Sequence, residues 1–239
     1  MSETTLKVFR FDPTTDAEPH YDTYTVPNEE HGTVLQAIHY VNDNIEPIGF
    51  DYSCRGGLCG RCACSVDGTP GLACYTLLEH NATVTVEPLP GFPVIKDLLV
   101  DRGTVTRKID EADLTVSTVA SLEREDLPAL DYELYWETLE RAQMCRECGS
   151  CYSVCPVYGA DSAGYAGPAA FSQMAIRHLD GLDQRDRVWQ AVMGGVFRCM
   201  LCDKCSEVCP AGIKHVDLHQ MFRDEAKARG IVPQDAVSA

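Results

Sequence analysis

Hydrophobic and polar residues alternate in three short segments of the first hundred positions, and this period of two is typical of β-strands with one buried face. Between the second and third segments, apolar residues recur at three- and four-residue steps over residues 34–45. That spacing predicts an amphipathic helix preceded by Gly32 and by a capping Thr33. The segments predicted as strands are residues 6–11, 21–26, 62–66 and 82–86.

The pattern changes further along the chain. Residues 87–130 contain four prolines and no sustained period, so we expect a connector there. From residue 131 onward apolar residues recur at helical spacing on both sides of two cysteine-rich loops. Pro168 is expected to start one of these helices, and Gly230 to end the last. The segments predicted as helices lie near residues 134–139, 168–179, 188–196 and 217–229.

The two cysteine-rich loops repeat one motif, C-x2-C-x2-C-x3-C-P, which ends at Pro156 in the first copy and at Pro210 in the second. A cysteine at every third residue wraps the chain around one metal cluster, while the fourth, displaced by an extra residue, reaches another cluster. The repeat therefore predicts two [4Fe–4S] centres. The ligand sets expected from this crossing rule are Cys145, Cys148, Cys151 and Cys209 for one, and Cys155, Cys199, Cys202 and Cys205 for the other.

A third cysteine block lies nearer the N-terminus and has the spacing C-x4-C-x2-C followed by a distant single cysteine, which is typical of a plant-type [2Fe–2S] site. Gly56, Gly57 and Gly60 lie between its ligands, where backbone N–H groups must approach cluster sulfurs closely. Arg55 and Arg61 either offset the charge of the cluster or are simply solvated. The predicted ligands of this first centre are Cys54, Cys59, Cys62 and Cys74.

Zinc and disulfides are the alternative uses of so many cysteines. Zinc sites favour two C-x2-C pairs, but the first block does not make two pairs, and the C-terminal cysteines form two identical quartets. Residues 1–10 contain no apolar segment of the kind that a signal peptide needs, so a secreted disulfide framework is not expected. The thirteenth cysteine, Cys64, follows Cys62 by two residues on a predicted strand, and we expect it to pack as a small buried side chain.

These patterns together predict an α+β protein. An N-terminal β-grasp [2Fe–2S] ferredoxin domain with its connector, residues 1–105, is expected to precede an all-α two-cluster ferredoxin domain, residues 106–239. At 239 residues, with 45% hydrophobic and 23% charged residues, the chain has the composition of one large or two small globular domains.

Charge and hydropathy exclude some classes of partner. The formal net charge of −16 and the pI of about 4.7 make nucleic acid and anionic membrane surfaces poor partners. The longest stretch without Asp, Glu, Lys or Arg is residues 162–176, and its 15 residues are too few to span a bilayer. If the protein works at a membrane, we expect another subunit to hold it there.

Motifs for substrate chemistry are missing from the sequence. It contains no glycine-rich dinucleotide motif after a strand, no P-loop and no nucleophile elbow, so no catalytic residue is predicted. His215 and His219 stand four residues apart on the last predicted helix, but no acidic third ligand is in register for a metal site. Trp136 and Trp189 fall at helical spacing and are predicted to lie in the core.

The order of domains, the length and several short motifs resemble the iron–sulfur subunit of succinate dehydrogenase and fumarate reductase, nearest to the fumarate reductase branch. The resemblance covers nearly the whole chain and implies an electron-transfer subunit of an oxidoreductase complex without a substrate site of its own. Besides the cysteines, the motifs that carry it are residues 71–74 (GLAC), 91–98 (GFPVIKDL), 155–159 (CPVYG), 165–169 (YAGPA) and 205–210 (CSEVCP).

Two departures from the family pattern change what the resemblance implies. The family usually lacks the second cysteine of the second motif and holds a [3Fe–4S] cluster there, whereas Cys202 should retain a fourth iron and lower the reduction potential. A [3Fe–4S] third centre remains the alternative. The family also usually carries a tryptophan and a histidine near quinone, where this chain has Ala160 and Met200, so the ordinary quinone pocket is in doubt.

The resemblance implies a relay of single electrons between a flavoprotein subunit, which carries FAD and interconverts succinate and fumarate, and a quinone-reactive membrane-anchor subunit. The first centre would face the flavin, and the chain would lie on the cytoplasmic face of the membrane as a peripheral part of a complex. One alternative is the electron-transfer subunit of a soluble flavin-dependent reductase with a non-quinone partner. A zinc-stapled interaction protein without a redox role is another.

Overall fold

The computed structural model describes residues 2–28, 32–80, 82–116, 140–160, 163–180 and 182–233. The chain divides into two compact units, one formed by Met1–Thr104 with Arg146–Val154, the other by Val105–Cys145 with Cys155–Ala239. These units differ from the predicted domains, 1–105 and 106–239, in one respect. The segment Arg146–Val154 packs with the first unit although it lies within the sequence of the second.

A five-stranded mixed sheet forms the framework of the first unit, in the order β2-β1-β5-β3-β4. The central strands β1 and β5 are parallel, and Leu6 pairs with Tyr24 on one side and with Val84 on the other. All four predicted strands are confirmed. The strands are β1 Ser2–Arg10, β2 His20–Asn28, β3 Ala63–Val66, β4 Thr69–Leu72 and β5 Thr83–Glu87.

One helix, α1 Val34–Asn44, begins at a capping box as its sequence predicts. The hydroxyl of Thr33 accepts a hydrogen bond from the backbone N–H of Gln36, and the Gln36 side chain accepts one from the N–H of Thr33 at 2.8 Å. Its apolar stripe, including Ile38 and Val41, is buried. A mixed sheet with a helix in the first unit and helices in the second confirm the α+β prediction.

Some elements were not predicted. Strand β4 lies at the edge of the sheet, a position where a proline such as Pro70 is tolerated. The predicted connector contains a hairpin, β6 Val94–Lys96 with β7 Leu99–Val100, followed by helix α2 Gly103–Glu111. Only two residues of α2 are buried, so its apolar pattern is too sparse to indicate a helix.

Most of the remaining helices belong to the second unit, where the helices α6 Pro168–His178, α7 Arg187–Met193 and α9 His215–Ala228 pack around a core that includes Phe171, Val188 and Phe222. Pro168 stands in the first turn of α6 as predicted. The predicted helix near residues 134–139 lies outside the described residues. The helices are α3 Glu140–Gln143, α4 Ser150–Ser153 (in the first unit), α5 Pro156–Ala160, α6 Pro168–His178, α7 Arg187–Met193, α8 Lys204–Glu207 and α9 His215–Ala228, with a 3-10 turn at Val196–Arg198.

Helix α7 differs from its prediction in the position of an aromatic ring. Trp189 is 52% exposed, so the prediction that it lies in the core is wrong; the buried face of α7 is instead formed by Arg187, Val188, Ala191 and Val192. The Arg187 guanidinium donates to the Asp183 carboxylate at 2.6 Å and to the carbonyl of Asp113 at 2.8 Å. Within the described ranges, no helix is long and apolar enough to cross a membrane.

Candidate iron–sulfur sites

The first cysteine loop surrounds the sulfur of Cys54 with backbone donors. The N–H groups of Gly56, Leu58 and Cys59 lie 3.4, 3.2 and 3.3 Å from this sulfur, and the N–H of Cys54 lies 3.4 Å from the Cys59 sulfur. These hydrogen bonds, that of Gly56 foremost, lower the pKa of the Cys54 thiol to about 6. The loop therefore stabilises the thiolate, which is the form that binds metal.

Glycines allow this loop to curl. Gly57 and Gly60 have φ values of +73° and +68°, which side chains disfavour. A Cβ at Gly60 would stand 2.3 Å from the carbonyl oxygen of Arg146, and one at Gly57 would stand 2.6 Å from the ring of Tyr75. Backbone conformation therefore favours glycine at both positions, and at Gly60 a backbone atom also leaves no space for a side chain.

The other predicted ligands of the first centre lie deeper. Cys62 and Cys74 are buried, and burial raises the pKa of the Cys62 thiol to about 12, with further contributions from the neighbouring Cys74 and Cys59 thiols. Since Cys59 also contacts Cys54, the structure brings all four predicted cysteines of the first centre together.

Arg102 supports this loop from the connector, and no pattern in the sequence indicated it. Its guanidinium donates to the carbonyls of Gly60 at 2.9 Å and Arg61 at 2.7 Å. Burial lowers the pKa of Arg102. Arg61, by contrast, is exposed and pairs with Asp51 at 3.3 Å. The cation that fixes the loop backbone is therefore Arg102, 28 residues after Cys74 in the sequence.

Cys64 is buried beside the first site. Burial raises the pKa of its thiol to about 12, and the Cys62 and Cys74 thiols are close enough to add to this shift. Its neutral, enclosed side chain fits a packing role. No disulfide joins any of the thirteen cysteines, all of which lie among the described residues.

The predicted set for the third centre lies entirely in the second unit. The pKa of the Cys205 thiol is raised to about 12, first by burial and then by the neighbouring Cys199, Cys155 and Cys202 thiols. The structure therefore brings these four cysteines together as well. Cys202 is the exposed member and Cys205 the buried one.

Both C-terminal loops have the same backbone conformation. The residues on either side of the second cysteine have positive φ in each copy: Glu147 and Gly149 in the first, Leu201 and Asp203 in the second. This conformation costs an ordinary residue about 1–2 kcal/mol. It brings the N–H of Leu201 to 3.4 Å from the Cys199 sulfur. The repeated strain indicates that both loops are shaped around what their cysteines bind.

Three side chains that the sequence did not single out as site residues contact the third set. Nδ1 of His219 lies 3.2 Å from the Cys199 sulfur, and Arg223 donates to the Cys199 carbonyl at 3.0 Å. The Tyr165 hydroxyl lies 3.9 Å from the Cys155 sulfur. The sequence could have indicated His219, because a histidine in the apolar stripe of a helix is buried and needs a polar partner there.

The predicted set for the second centre draws on both units. Cys148 and Cys151 are buried residues of the first unit, while Cys145 and Cys209 are half-buried residues of the second. Their assignment to one cluster therefore still rests on the sequence repeat and stays a prediction.

The chemistry of the first and third sets fits iron–sulfur clusters. Each offers four neighbouring thiols, backbone N–H donors aimed at a cysteine sulfur, and a loop with residues at positive φ. Among the described residues, no group of three or more His, Cys, Asp or Glu side chains has the spacing of a single-ion site. A cluster does not require that spacing, because iron and sulfide atoms stand between its thiolates.

Two family models match the chain. Residues 5–107 match a 2Fe-2S iron-sulfur cluster binding domain, and residues 141–213 match a 4Fe-4S dicluster domain. The two matched regions contain the N-terminal cysteine block and both C-terminal motifs, respectively. Domains for both types of cluster are therefore present in the chain.

Sequence similarity to known proteins extends over nearly the full chain. The fumarate reductase iron-sulfur subunits of Haemophilus influenzae and Mycobacterium tuberculosis are 31% and 32% identical, over 89% and 93% of this chain and 87% and 92% of their own. A fumarate reductase (CoM/CoB) subunit of Methanothermobacter marburgensis is 35% identical over 97% of this chain, which spans 46% of that protein.

One solved structure is similar to this chain over nearly its whole length. A chain of the Mycobacterium smegmatis Sdh1 complex in the apo form superposes with a TM-score of 0.86 at 26% identity, covering 98% of this chain and 99% of that one. Fold, cysteine motifs and sequence similarity thus agree over the whole length. The chain belongs to the family of electron-transfer iron–sulfur subunits of fumarate reductase and succinate dehydrogenase.

Proposed function

We propose that this chain relays single electrons between a flavoprotein subunit carrying FAD, which interconverts succinate and fumarate, and a quinone-reactive membrane subunit. The observation that carries the proposal is the gathering of two cysteine quartets in a chain of this family. Substrate chemistry belongs to the flavoprotein, and this subunit has no substrate site of its own.

Three clusters would be bound. Cys54, Cys59, Cys62 and Cys74 would hold a [2Fe–2S] cluster, and two [4Fe–4S] clusters would be held by the C-terminal sets predicted from the repeat. When bound, these clusters supply one-electron redox chemistry. The chain's own contribution is to fix the thiolates, to donate hydrogen bonds to their sulfurs, and to keep the inner ligands away from water.

Apolar side chains are exposed near the first cysteine loop, and this favours a partner protein on that side. Leu58, Tyr75 and Leu77 all expose most of their side chains, and Tyr75 is 70% exposed. Exposed apolar groups in one place favour a surface that another protein covers. We assign this surface to the flavoprotein, so that the first centre accepts or delivers electrons at the flavin.

The second unit offers an apolar groove next to the second cysteine motif. The groove has a volume of about 720 Å³, and Trp189, Met193, Phe197, Arg198 and Ile231 are among its lining residues. Its apolar lining supports an assignment of this side to the membrane-anchor or quinone-reactive subunit. Such an anchor would keep the chain peripheral, on the cytoplasmic face of the membrane.

A second candidate function is electron transfer within a soluble flavin-dependent reductase. It is favoured by Ala160 and Met200, which stand where the family usually carries tryptophan and histidine near quinone, and Met200 is exposed. It is also favoured by the Methanothermobacter relative, whose name refers to CoM and CoB rather than to a quinone. The partner would then be a flavoprotein alone.

Anaerobic purification with iron and sulfide analysis tests the proposal. We expect about ten iron and ten acid-labile sulfide atoms per chain, the content of one [2Fe–2S] and two [4Fe–4S] clusters. We also expect brown protein that bleaches with dithionite. Co-isolation with a flavoprotein and hydrophobic anchor subunits would support the membrane relay, and isolation with a flavoprotein alone would support the soluble reductase. Colourless protein with stoichiometric zinc would refute both.

A further inference from the structure

Helix α9 holds one imidazole against the third cysteine set. His219 is completely buried, and its Nδ1 atom lies 3.2 Å from the sulfur of Cys199. The ring of Phe171 packs edge-on against it at 5.1 Å, and the carbonyl of Pro168 lies 3.4 Å from Nε2. The buried ring therefore has its Nδ1 atom beside the sulfur and its Nε2 atom beside the carbonyl.

The chemistry of a ligating cysteine fixes the direction of this hydrogen bond. A thiolate bound to iron has no proton and can only accept, so the shared proton must stand on Nδ1 of His219. Both the neutral Nδ1-protonated ring and the imidazolium carry that proton. The Pro168 carbonyl does not need a hydrogen bond from His219, because it accepts one from the Ser172 hydroxyl at 3.1 Å.

We propose that His219 is a positioning residue that raises the reduction potential of the third centre by donating its Nδ1–H to the sulfur of Cys199. A reduced cluster carries one more negative charge than an oxidised one, so a donor to a ligand sulfur stabilises the reduced state more. The inference rests on the proposed function, because it requires a cluster at the third set.

Neighbouring groups act on the same ligand in the same sense. The N–H of Leu201 points at the Cys199 sulfur at 3.4 Å, and Arg223, one turn after His219 on α9, binds the Cys199 carbonyl. The fourth thiolate, from Cys202, lowers the potential of the centre because it adds negative charge. His219 therefore offsets part of the effect of Cys202, which keeps the last centre able to accept electrons from the others.

The chain contains a matched control on the same helix. His215 lies one turn before His219 and is also buried, at 1% exposure. Its Nδ1 atom lies 2.7 Å from the Ser172 hydroxyl instead of a cysteine sulfur. Replacing His215 removes a buried imidazole of the same size from the same core without removing a donor to Cys199.

The experiment compares wild type, His219→Leu, His219→Asn and His215→Leu in the intact complex by redox titration monitored with electron paramagnetic resonance. We expect His219→Leu to lower the midpoint of the third centre, with about a tenfold change in the oxidised-to-reduced ratio at fixed potential, or about 59 mV for one electron. The Asn amide retains a donor near the Nδ1 position and should restore most of the midpoint. His215→Leu should match wild type.

The inference is overturned if His219→Leu has the wild-type midpoint at the third centre, or if His215→Leu shifts it equally. A wild-type complex without any third-centre signal would instead overturn the proposed function. If His219→Leu does not assemble the centre, pulsed resonance of wild-type complex labelled with ¹⁵N-histidine decides. A ¹⁵N coupling at the third centre that persists in His215→Leu supports the inference, and no such coupling overturns it.

Discussion

The carboxylate of Asp183 and the guanidinium of Arg187 face each other at 2.6 Å, and neither side chain reaches solvent. The same guanidinium also donates to the carbonyls of Asp113 and Thr115, so it joins the chain after α2 to helix α7. A buried pair of this kind adds little net stability compared with apolar residues, yet it is costly to break, because the remaining charge is left in the interior.

We therefore predict that Asp183→Asn lowers the free energy of unfolding by about 3–5 kcal/mol. The loss of the carboxylate charge leaves Arg187 buried without its counter-ion. The measurement is the thermal midpoint of the helical circular dichroism signal of the purified protein. The control is Arg185→Ala, which breaks the exposed, solvent-screened pair with Asp113 and should shift the midpoint much less. Equal shifts in the two variants would contradict the prediction.

Gly60→Ala should abolish the first centre while the rest of the protein folds. The new Cβ would collide with the Arg146 carbonyl, and φ at this position is +68°. The control, Gly68→Ala, has a φ of +78° but nothing within 4 Å of its Cβ, so it carries only the backbone strain of about 1–2 kcal/mol. Iron content and the visible circular dichroism of the [2Fe–2S] cluster distinguish the Gly60→Ala variant from the Gly68→Ala control. A normal first centre in Gly60→Ala would show that the contact is relieved cheaply.

Cys202→Ser should convert the third centre from [4Fe–4S] to [3Fe–4S]. Without its exposed fourth thiolate, the site loses one iron, and the oxidised protein gains the strong resonance signal of a three-iron cluster. Cys64→Ala is the matched control, because that buried thiol packs beside the first site and should leave all three centres unchanged. An unchanged spectrum in Cys202→Ser would mean that Cys202 is not a ligand.

Acid should destabilise the protein through His215. Burial lowers the pKa of this imidazole from 6.5 to about 4, although the Pro168 carbonyl and the Asp203 carboxylate partly oppose the shift. Between about pH 6.5 and pH 4, His215 therefore binds a proton in the unfolded state but stays neutral in the folded state. Stability is complete above pH 6.5 and declines as pH falls toward 4, by about 1.4 kcal/mol at one unit below the unfolded-state pKa.

Thermal midpoints at pH 8.0 and about pH 5.5 test this dependence. The thermal midpoint of His215→Leu should fall less between pH 8.0 and about pH 5.5 than the midpoint of wild type, because the variant lacks the titrating imidazole. Any packing defect introduced by the leucine would lower both midpoints and would not change their difference. A difference as large as that of wild type would locate the acid sensitivity elsewhere.

Features that depend on local sequence were predicted correctly. Alternation identified the strands on both sides of α1, and the Thr33 capping box marked the start of that helix. Cysteine spacing also predicted two sets whose members the structure brings together, because such a loop is a local arrangement of a few residues; their role as cluster ligands stays a prediction. The exposed Trp189 shows the limit of periodicity, which cannot tell which face of a short helix is covered.

Features that depend on distant contacts were not predicted. Arg102 reaches the carbonyls of Gly60 and Arg61 across about forty residues of sequence, and His219 reaches Cys199 across 20. Neither residue type is unusual at its own position. Their roles follow from the packing of elements against one another, which a single sequence does not specify directly.

The segment Arg146–Val154 completes the first unit although more than forty residues separate it from Thr104. Gly149 fits against Leu89 and Phe92, and the Arg146 carbonyl abuts Gly60. During translation, the surface that this segment covers therefore stays exposed until Val154 has emerged from the ribosome. A fragment that stops at residue 105 would expose the surface that this segment covers, so the N-terminal unit should not be expressed alone without it.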